Sequence, residues 1–187
     1  CNADAVIVGE GEYSLLEFLQ SQDLSNVKGL FIKEKNGNIK FTGERKLIMN
    51  LDELPFPALN RVPLEKYDVP MKQAKPICNL ITSRGCPNSC TYCFHTKAWR
   101  QRSAKNVVDE IEWQVKLGIK EIAINDDNFT LNEKRAEEIC DMIVQRGIKV
   151  KLQCMNGIRA DRVSKELLIK MKRAGFWLIA VAPESGS

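Results

Sequence analysis

No uninterrupted apolar stretch among these 187 residues approaches the length that crosses a bilayer, and the N-terminus lacks a basic segment followed by an apolar core. The sequence thus predicts no membrane span, and the setting it favours is cytoplasmic. Aromatic residues make up only 7%, and there is a single histidine, His95. The 28 basic and 24 acidic residues are interleaved, with no run of one sign. Neither a nucleic-acid arm nor a polybasic membrane anchor is therefore indicated. Seven cysteines are an odd number, three of them crowd into one short segment, and no secretory signal accompanies them. That pattern argues against a disulfide framework and for metal or redox chemistry. Cys78, Cys140 and Cys154 sit in apolar patterns and read as ordinary small buried thiols.

What remains is the composition of a globular α/β protein, 44% hydrophobic and 28% charged. The length suits one core, or one core with a small satellite. The chain opens on Cys1 and enters the apolar run Ala5-Val6-Ile7-Val8-Gly9 almost at once. We read that run as a complete buried strand, and residue 1 as a cut point within a longer protein.

Gly9-Glu10-Gly11-Glu12 reads as a turn, after which Leu15, Leu16 and Leu19 give the spacing of one apolar helical face. Leu30 and Ile32, then Ile39 and Phe41, alternate with polar neighbours around Asn36-Gly37, which predicts a β-hairpin. Residues 1–50 thus form a small α/β fragment with a hairpin. Residues 51–76 hold five of the seven prolines and no sustained period. Proline fixes φ and removes backbone donors, so this stretch is expected to be an extended linker strapped across a surface.

From residue 77 the pattern becomes regular. Strand-like runs at 78–82, 121–125, 150–154 and 177–182 alternate with helical segments. Ser103 can cap the first helix, whose Val107, Val108, Ile111 and Val115 form one face before Gly118. Thr130-x-x-Glu133 is a capping-box signal for the second, which ends at Gly147. Ser164 and Gly175 punctuate the third. Repeated strand-helix units imply a parallel sheet with right-handed crossovers. Four such units make part of a TIM-type (β/α) barrel, since eight are needed to close one. Residues 77–187 would be its N-terminal half, with an exposed parallel edge at 177–182 that invites self-association.

In such folds reactive groups gather at the carboxyl ends of the strands. The polar residues found there are the cysteine loop, then Asp126-Asp127-Asn128, then Asn156 and Arg159, and finally Glu184-Ser185. Cys86-x-x-x-Cys90-x-x-Cys93 follows the first strand, in a loop opened by Arg84-Gly85. A structural zinc site prefers four closed ligands, and a fully protein-bound 4Fe-4S cluster also takes four. Three thiolates fit a 4Fe-4S cluster with one iron left open to other chemistry. Two readings stand beside it: His95 completing a zinc site, and a chance grouping of buried or disulfide cysteines. Lys97, Arg100 and Arg102 either offset the charge of the thiolates or form a solvated basic stretch.

The run RGCPNSCTYCF, with an aromatic residue before the third cysteine, resembles the signature of the radical S-adenosylmethionine superfamily. WRQRSAKNVVDEI, NDDNFT and PESGS resemble the segments that follow it in the branch with an N-terminal cobalamin-binding domain. AVIVGEGEYSLLEFL and LDELPFPAL resemble the tail of that domain and its connection to the barrel, so the likeness covers nearly the whole chain.

The resemblance implies a 4Fe-4S cluster held by Cys86, Cys90 and Cys93, with S-adenosylmethionine chelating the fourth iron and cleaved to a 5'-deoxyadenosyl radical. It implies Tyr92 near the adenine, Asp126 and Asp127 near the methionine amino group, Glu184 and Ser185 near the ribose or carboxylate, and Arg159 at the carboxylate. Plainer roles compete: Asp126 and Asp127 as helix caps, Glu184 as a solvated carboxylate, Arg159 paired with Asp161. The family's cobalamin-binding histidine motif belongs to the first part of the cobalamin domain, a segment this sequence does not hold, so the resemblance makes cobalamin a possible cofactor of a full-length parent and not one expected of this chain. A reductant such as flavodoxin or ferredoxin, a small-molecule substrate and a methyltransferase or related modifying reaction complete the expectation. A non-catalytic iron-sulfur electron carrier and a zinc-stabilised binding module are the alternatives.

Overall fold

The computed structural model describes residues 3–34, 36–94 and 96–182. The chain divides into two compact units, 1–49 and 50–187.

In the first unit, β1 (Ala5–Ile7), β2 (Leu30–Lys33) and β3 (Ile39–Phe41) form an antiparallel sheet in that order, with α1 (Glu12–Gln20) between β1 and β2. The β2–β3 hairpin is the predicted one. Gly37 takes φ +86°, and its N–H donates to the Glu34 carbonyl at 2.9 Å. One expectation fails here. β1 is an edge strand and not a buried one: Val6 is 49% exposed and aligns with Phe31, which pairs with Phe41 at 4.7 Å between ring centroids. An antiparallel sheet can leave one face uncovered by its own unit, and this row lies on that face. The leucines of α1 are also turned outward, Leu19 to 72% exposure. The buried position is Ser14, whose hydroxyl donates to the Lys28 carbonyl at 3.0 Å. Leucine spacing fixes which residues share a face, but it does not decide which face the sheet covers.

The second unit contains β4 (Ile77–Leu80), α2 (Ala104–Lys116), β7 (Glu121–Ile124), α3 (Glu133–Gln145), β8 (Lys151–Ile158), α4 (Lys165–Ala174) and β9 (Phe176–Val181). Two short strands, β5 (Ser83–Arg84) and β6 (Arg100–Gln101), lie between β4 and α2. The main sheet has the order β4-β7-β8-β9, and every pairing in it is parallel. This is the predicted α/β arrangement, four consecutive strands of a TIM-type barrel with a helix in each connection. Cys78, Ile122 and Leu152 share one register row, and Leu80, Ile124 and Cys154 another. Side chains alternate across a strand, so these rows face one way. They pack with Val107, Val108 and Ile111 of α2, Ala136, Ile139 and Ile143 of α3, and Leu167 and Met171 of α4. Each fully buried Leu or Ile contributes roughly 1.5–3 kcal/mol relative to exposure.

Ser103 caps α2 as predicted, its hydroxyl accepting from Asn106 N at 3.1 Å. Helix α3 departs from expectation. Its cap is Asn132, accepting from Arg135 N at 3.2 Å, not Thr130. Glu133 does not fold back on its own cap; it accepts from Ser164 N at 2.9 Å and so ties the start of α4 to the start of α3. At the amino ends of the strands, the buried Glu121 carboxylate accepts from Gln73 N and Ala74 N at 2.7 Å each. It also accepts from Gln153 Nε2 at 2.9 Å and Trp177 Nε1 at 2.8 Å. This carboxylate fastens the proline-rich segment beneath the sheet.

Candidate functional site

The cysteines lie in a loop closed at its base. β5 and β6 pair antiparallel, Ser83 with Gln101 and Arg84 with Arg100, and Arg102 N donates to the Thr82 carbonyl at 2.9 Å. Gly85 is required just inside this neck. It takes φ +80°, and a Cβ there would stand 2.6 Å from the carbonyl oxygens of both Thr96 and Ala98. The close approach lets Cys86 N donate to the Thr96 carbonyl at 2.9 Å.

Two buried arginines brace the neck. Arg135, 4% exposed on α3, donates from Nη1 to the carbonyls of Thr82 and Arg102 at 3.1 Å each, and from Nη2 to Thr82 Oγ1 at 3.0 Å. It thereby holds both the entering and the leaving strand. Arg102 donates from Nη1 to the Ile81 carbonyl at 3.0 Å and pairs with Glu110 at 2.6 Å. Arg100 is buried as well, so the solvated-stretch reading fails for Arg100 and Arg102; Lys97 instead contacts the Asn88 carbonyl inside the loop.

Asp126 is 0% exposed. Its carboxylate accepts from Thr82 N at 2.6 Å, Thr82 Oγ1 at 2.5 Å and Ser83 Oγ at 2.7 Å, and lies 3.7 Å from Arg135 Nη2. Those partners place Asp126 beneath the neck, joining the end of β7 to the end of β4. It does not cap α3. Asp127, by contrast, is exposed.

Within the loop Cys86 is 8% exposed, whereas Cys90 and Cys93 are open to solvent and Tyr92 is 69% exposed. Cys93 N donates to the Cys90 carbonyl at 3.2 Å, a tight turn around Tyr92. Asn88 Nδ2 donates to Cys86 Sγ at 3.2 Å. Arg159, beyond the end of β8, reaches this loop: its Nη1 donates to Asn88 Oδ1 at 3.1 Å, while Nε and Nη2 bind Asp161 at 3.0 and 2.6 Å. The Asp161 carboxylate holds the Arg159 guanidinium above its ordinary pKa. The expected Asp161 pairing is thus present and carries Arg159 to the cysteine loop. Asn156 Nδ2 donates to the Asn125 carbonyl at 2.9 Å, joining β8 to the end of β7. His95, Glu184 and Ser185 lie outside the described residues.

Among the described residues, no three His, Cys, Asp or Glu side chains stand together tightly enough to hold one ion. A cluster distributes its ligands over separate irons, and three soft thiols carried by one loop fit that demand. Cys140 and Cys154 are unsuited to ligation, since burial pushes both thiols up to about 12.

Residues 80–187, more than half of the chain, match the Radical SAM superfamily. The chain belongs to that superfamily. This radical SAM chain is 34% identical over 193 residues to an uncharacterized methyltransferase of Pyrococcus horikoshii, covering 98% of the chain and 41% of that protein. It is 30% identical over 220 residues to cytidylyl-2-hydroxyethylphosphonate methyltransferase of Streptomyces wedmorensis, covering 99% of the chain and 41% of that enzyme. Among solved structures it superposes with a TM-score of 0.70 and 25% identity on OxsB, a cobalamin-dependent S-adenosylmethionine radical enzyme solved with aqua-cobalamin, covering 98% of this chain and 28% of that one. The radical SAM chain thus spans about two fifths of the length of the curated relatives it matches.

The brace residues Arg135, Thr82, Ser83 and Glu110, and the loop residue Asn88, were not among the sequence candidates. Two left a signal. Arg135 occupies the apolar stripe of α3 four residues before Ile139, and Glu110 lies beside Ile111 on the covered face of α2. A charge on a buried stripe needs a partner.

Proposed function

We propose that the three cysteines hold a 4Fe-4S cluster whose open iron receives S-adenosylmethionine, and that the full-length protein is a cobalamin-linked radical SAM methyltransferase. When bound, such a cluster supplies the electron that cleaves S-adenosylmethionine to methionine and a 5'-deoxyadenosyl radical. The observation that carries the reading is a superfamily match laid over three thiols in one neck-braced loop, at the carboxyl end of a parallel sheet.

The chain's own residues divide the work. Cys86, Cys90 and Cys93 supply the iron ligands. Tyr92 and Asp127 are proposed at the adenine and the methionine amino group respectively, and the exposure of both side chains supports that reading. Asp126, whose oxygens are committed to Thr82 and Ser83, serves by positioning the start of the loop. Glu184 and Ser185 are proposed at the ribose or carboxylate. Methyl transfer rests on the two methyltransferase relatives, and cobalamin on the OxsB likeness. A low-potential protein such as flavodoxin or ferredoxin is the proposed electron source, in the cytoplasm, with a small molecule as methyl acceptor. β9 at the sheet edge is proposed as a self-association surface in the isolated chain.

Anaerobic reconstitution tests this reading. About four irons per chain and a cluster spectrum perturbed by S-adenosylmethionine are expected, with 5'-deoxyadenosine released by the reduced full-length protein. Replacing any one of the three cysteines with alanine should abolish that release. A stoichiometric zinc content, or an intact cluster indifferent to S-adenosylmethionine, would refute it.

A further inference from the structure

We propose that Asn88 and Arg159 are positioning residues that raise the reduction potential of the cluster, through an amide-to-sulfur hydrogen bond whose direction is enforced from the end of β8. The proposal rests on the cluster assignment above and adds a tuning device to it.

An asparagine amide has one accepting end and one donating end, and its neighbours decide which points where. Arg159 offers only donors. With Nη1 at 3.1 Å, it must face Asn88 Oδ1. The Asn88 Nδ2 group is thereby committed to Cys86 Sγ, 3.2 Å away. Flipping the amide would set N–H against N–H and leave the sulfur without its donor. Arg159 is itself held by the two-point contact with Asp161, so a chain of three residues fixes one N–H···S bond. The electrostatic influence of Cys90 and Cys86 also reaches the Arg159 guanidinium, after that of Asp161.

Reduction adds one negative charge to a cluster. A donor at a ligand sulfur and a nearby cation both favour the more negative form, and hydrogen bonds to sulfur together with net charge are established determinants of cluster potential. Removing either residue therefore makes the cluster harder to reduce. Because Arg159 acts partly through Asn88, the two losses overlap.

The test is a redox titration of the anaerobically reconstituted full-length protein without S-adenosylmethionine, followed by the EPR signal of the reduced cluster. Asn88→Ala and Arg159→Gln should each lower the reduced-to-oxidised ratio at a fixed poise by about tenfold, equivalent to 59 mV for a one-electron couple. The double variant should fall short of the summed shifts, and Arg159→Lys, which keeps a donor and the charge, should recover part of the loss. Unchanged potentials in both single variants, with full iron content, would overturn the proposal. So would an Arg159→Gln variant that binds S-adenosylmethionine poorly while its cofactor-free potential stays at the parent value, since Arg159 would then be a substrate contact only. If Asn88→Ala fails to retain iron, Arg159→Gln, which touches no sulfur, carries the comparison. Failure of the unmodified protein to hold a four-iron cluster would instead defeat the function proposed above.

Discussion

Replacing Asp126 with alanine tests the architecture beneath the cysteine loop most directly. The substitution removes three hydrogen bonds at Thr82 and Ser83 and the anion 3.7 Å from Arg135. Arg135 stays buried, and burial already pulls its pKa down against the opposing pull of Asp126. Breaking one side of a buried ion pair costs about 3–5 kcal/mol, because the remaining charge is left uncompensated. For a chain of this size that is a fall of roughly 6–20 °C in Tm. Asp126→Asn keeps the shape and an acceptor for Thr82 N, so about 1–3 kcal/mol is expected. Arg135→Met is costly alone, since it frees the Thr82 and Arg102 carbonyls. Combined with Asp126→Asn it removes both charges, and the double variant should lose at least about 1 kcal/mol less than the sum. Urea unfolding of the parent and the four variants decides the matter. A loss below about 1 kcal/mol in Asp126→Ala, or strict additivity in the cycle, would refute the claim that these residues form one buried electrostatic unit.

Gly85→Ala should cost about 2 kcal/mol or more from the left-handed backbone and the two carbonyl collisions, and iron retained per chain should drop with it. In the cluster-free protein, brief iodoacetamide treatment and mass mapping should label exposed Cys90 and Cys93 while sparing Cys140 and Cys154, whose thiols are held near 12 by burial. Glu133 is held below its ordinary value of 4.5 by Ser164, so its contribution to stability is present above that value and is lost as pH falls through the lowered one. A Glu133→Gln variant should accordingly melt below the parent at neutral pH and converge with it in acid; a constant gap from neutral pH down to pH 3 would count against the Ser164 contact.

The parallel sheet was legible because each strand carries an apolar run and each helix an apolar stripe, and both periods survive in one sequence. Boundaries slipped where hydrogen bonds rather than hydrophobicity set them. The run at 150–154 extends to Ile158 as β8, through irregular pairing with β9. The cap of α3 is Asn132 rather than Thr130, and Glu133 takes its partner at the start of a neighbouring helix, a contact that no local motif encodes. In the first unit, Val6 and Leu19 illustrate a further limit. Spacing shows that residues share a side, but their burial depends on what lies against that side.

The site was legible in its ligands and illegible in its supports, and the two classes of residue differ in how they announce themselves. Cysteines at fixed spacing identify themselves because few other demands produce that pattern. Arg135, Asp126, Arg102 and Glu110 are common residues whose roles arise only when three segments far apart in the chain converge on Thr82 and Ser83. Their charges balance, two positive and two negative, and each arginine reaches a backbone carbonyl next to the β5–β6 neck, Arg135 those of Thr82 and Arg102 and Arg102 that of Ile81. A ligand-bearing loop without regular structure has few means of holding three sulfurs in register, because its own backbone bonds are sparse. Buried ion pairs contribute little net stability, but they penalise any displacement that would separate them. Placed at the neck, that penalty falls on slippage of β5 against β6. It leaves the tip, where Cys90 and Cys93 lie, free to adjust to what they bind.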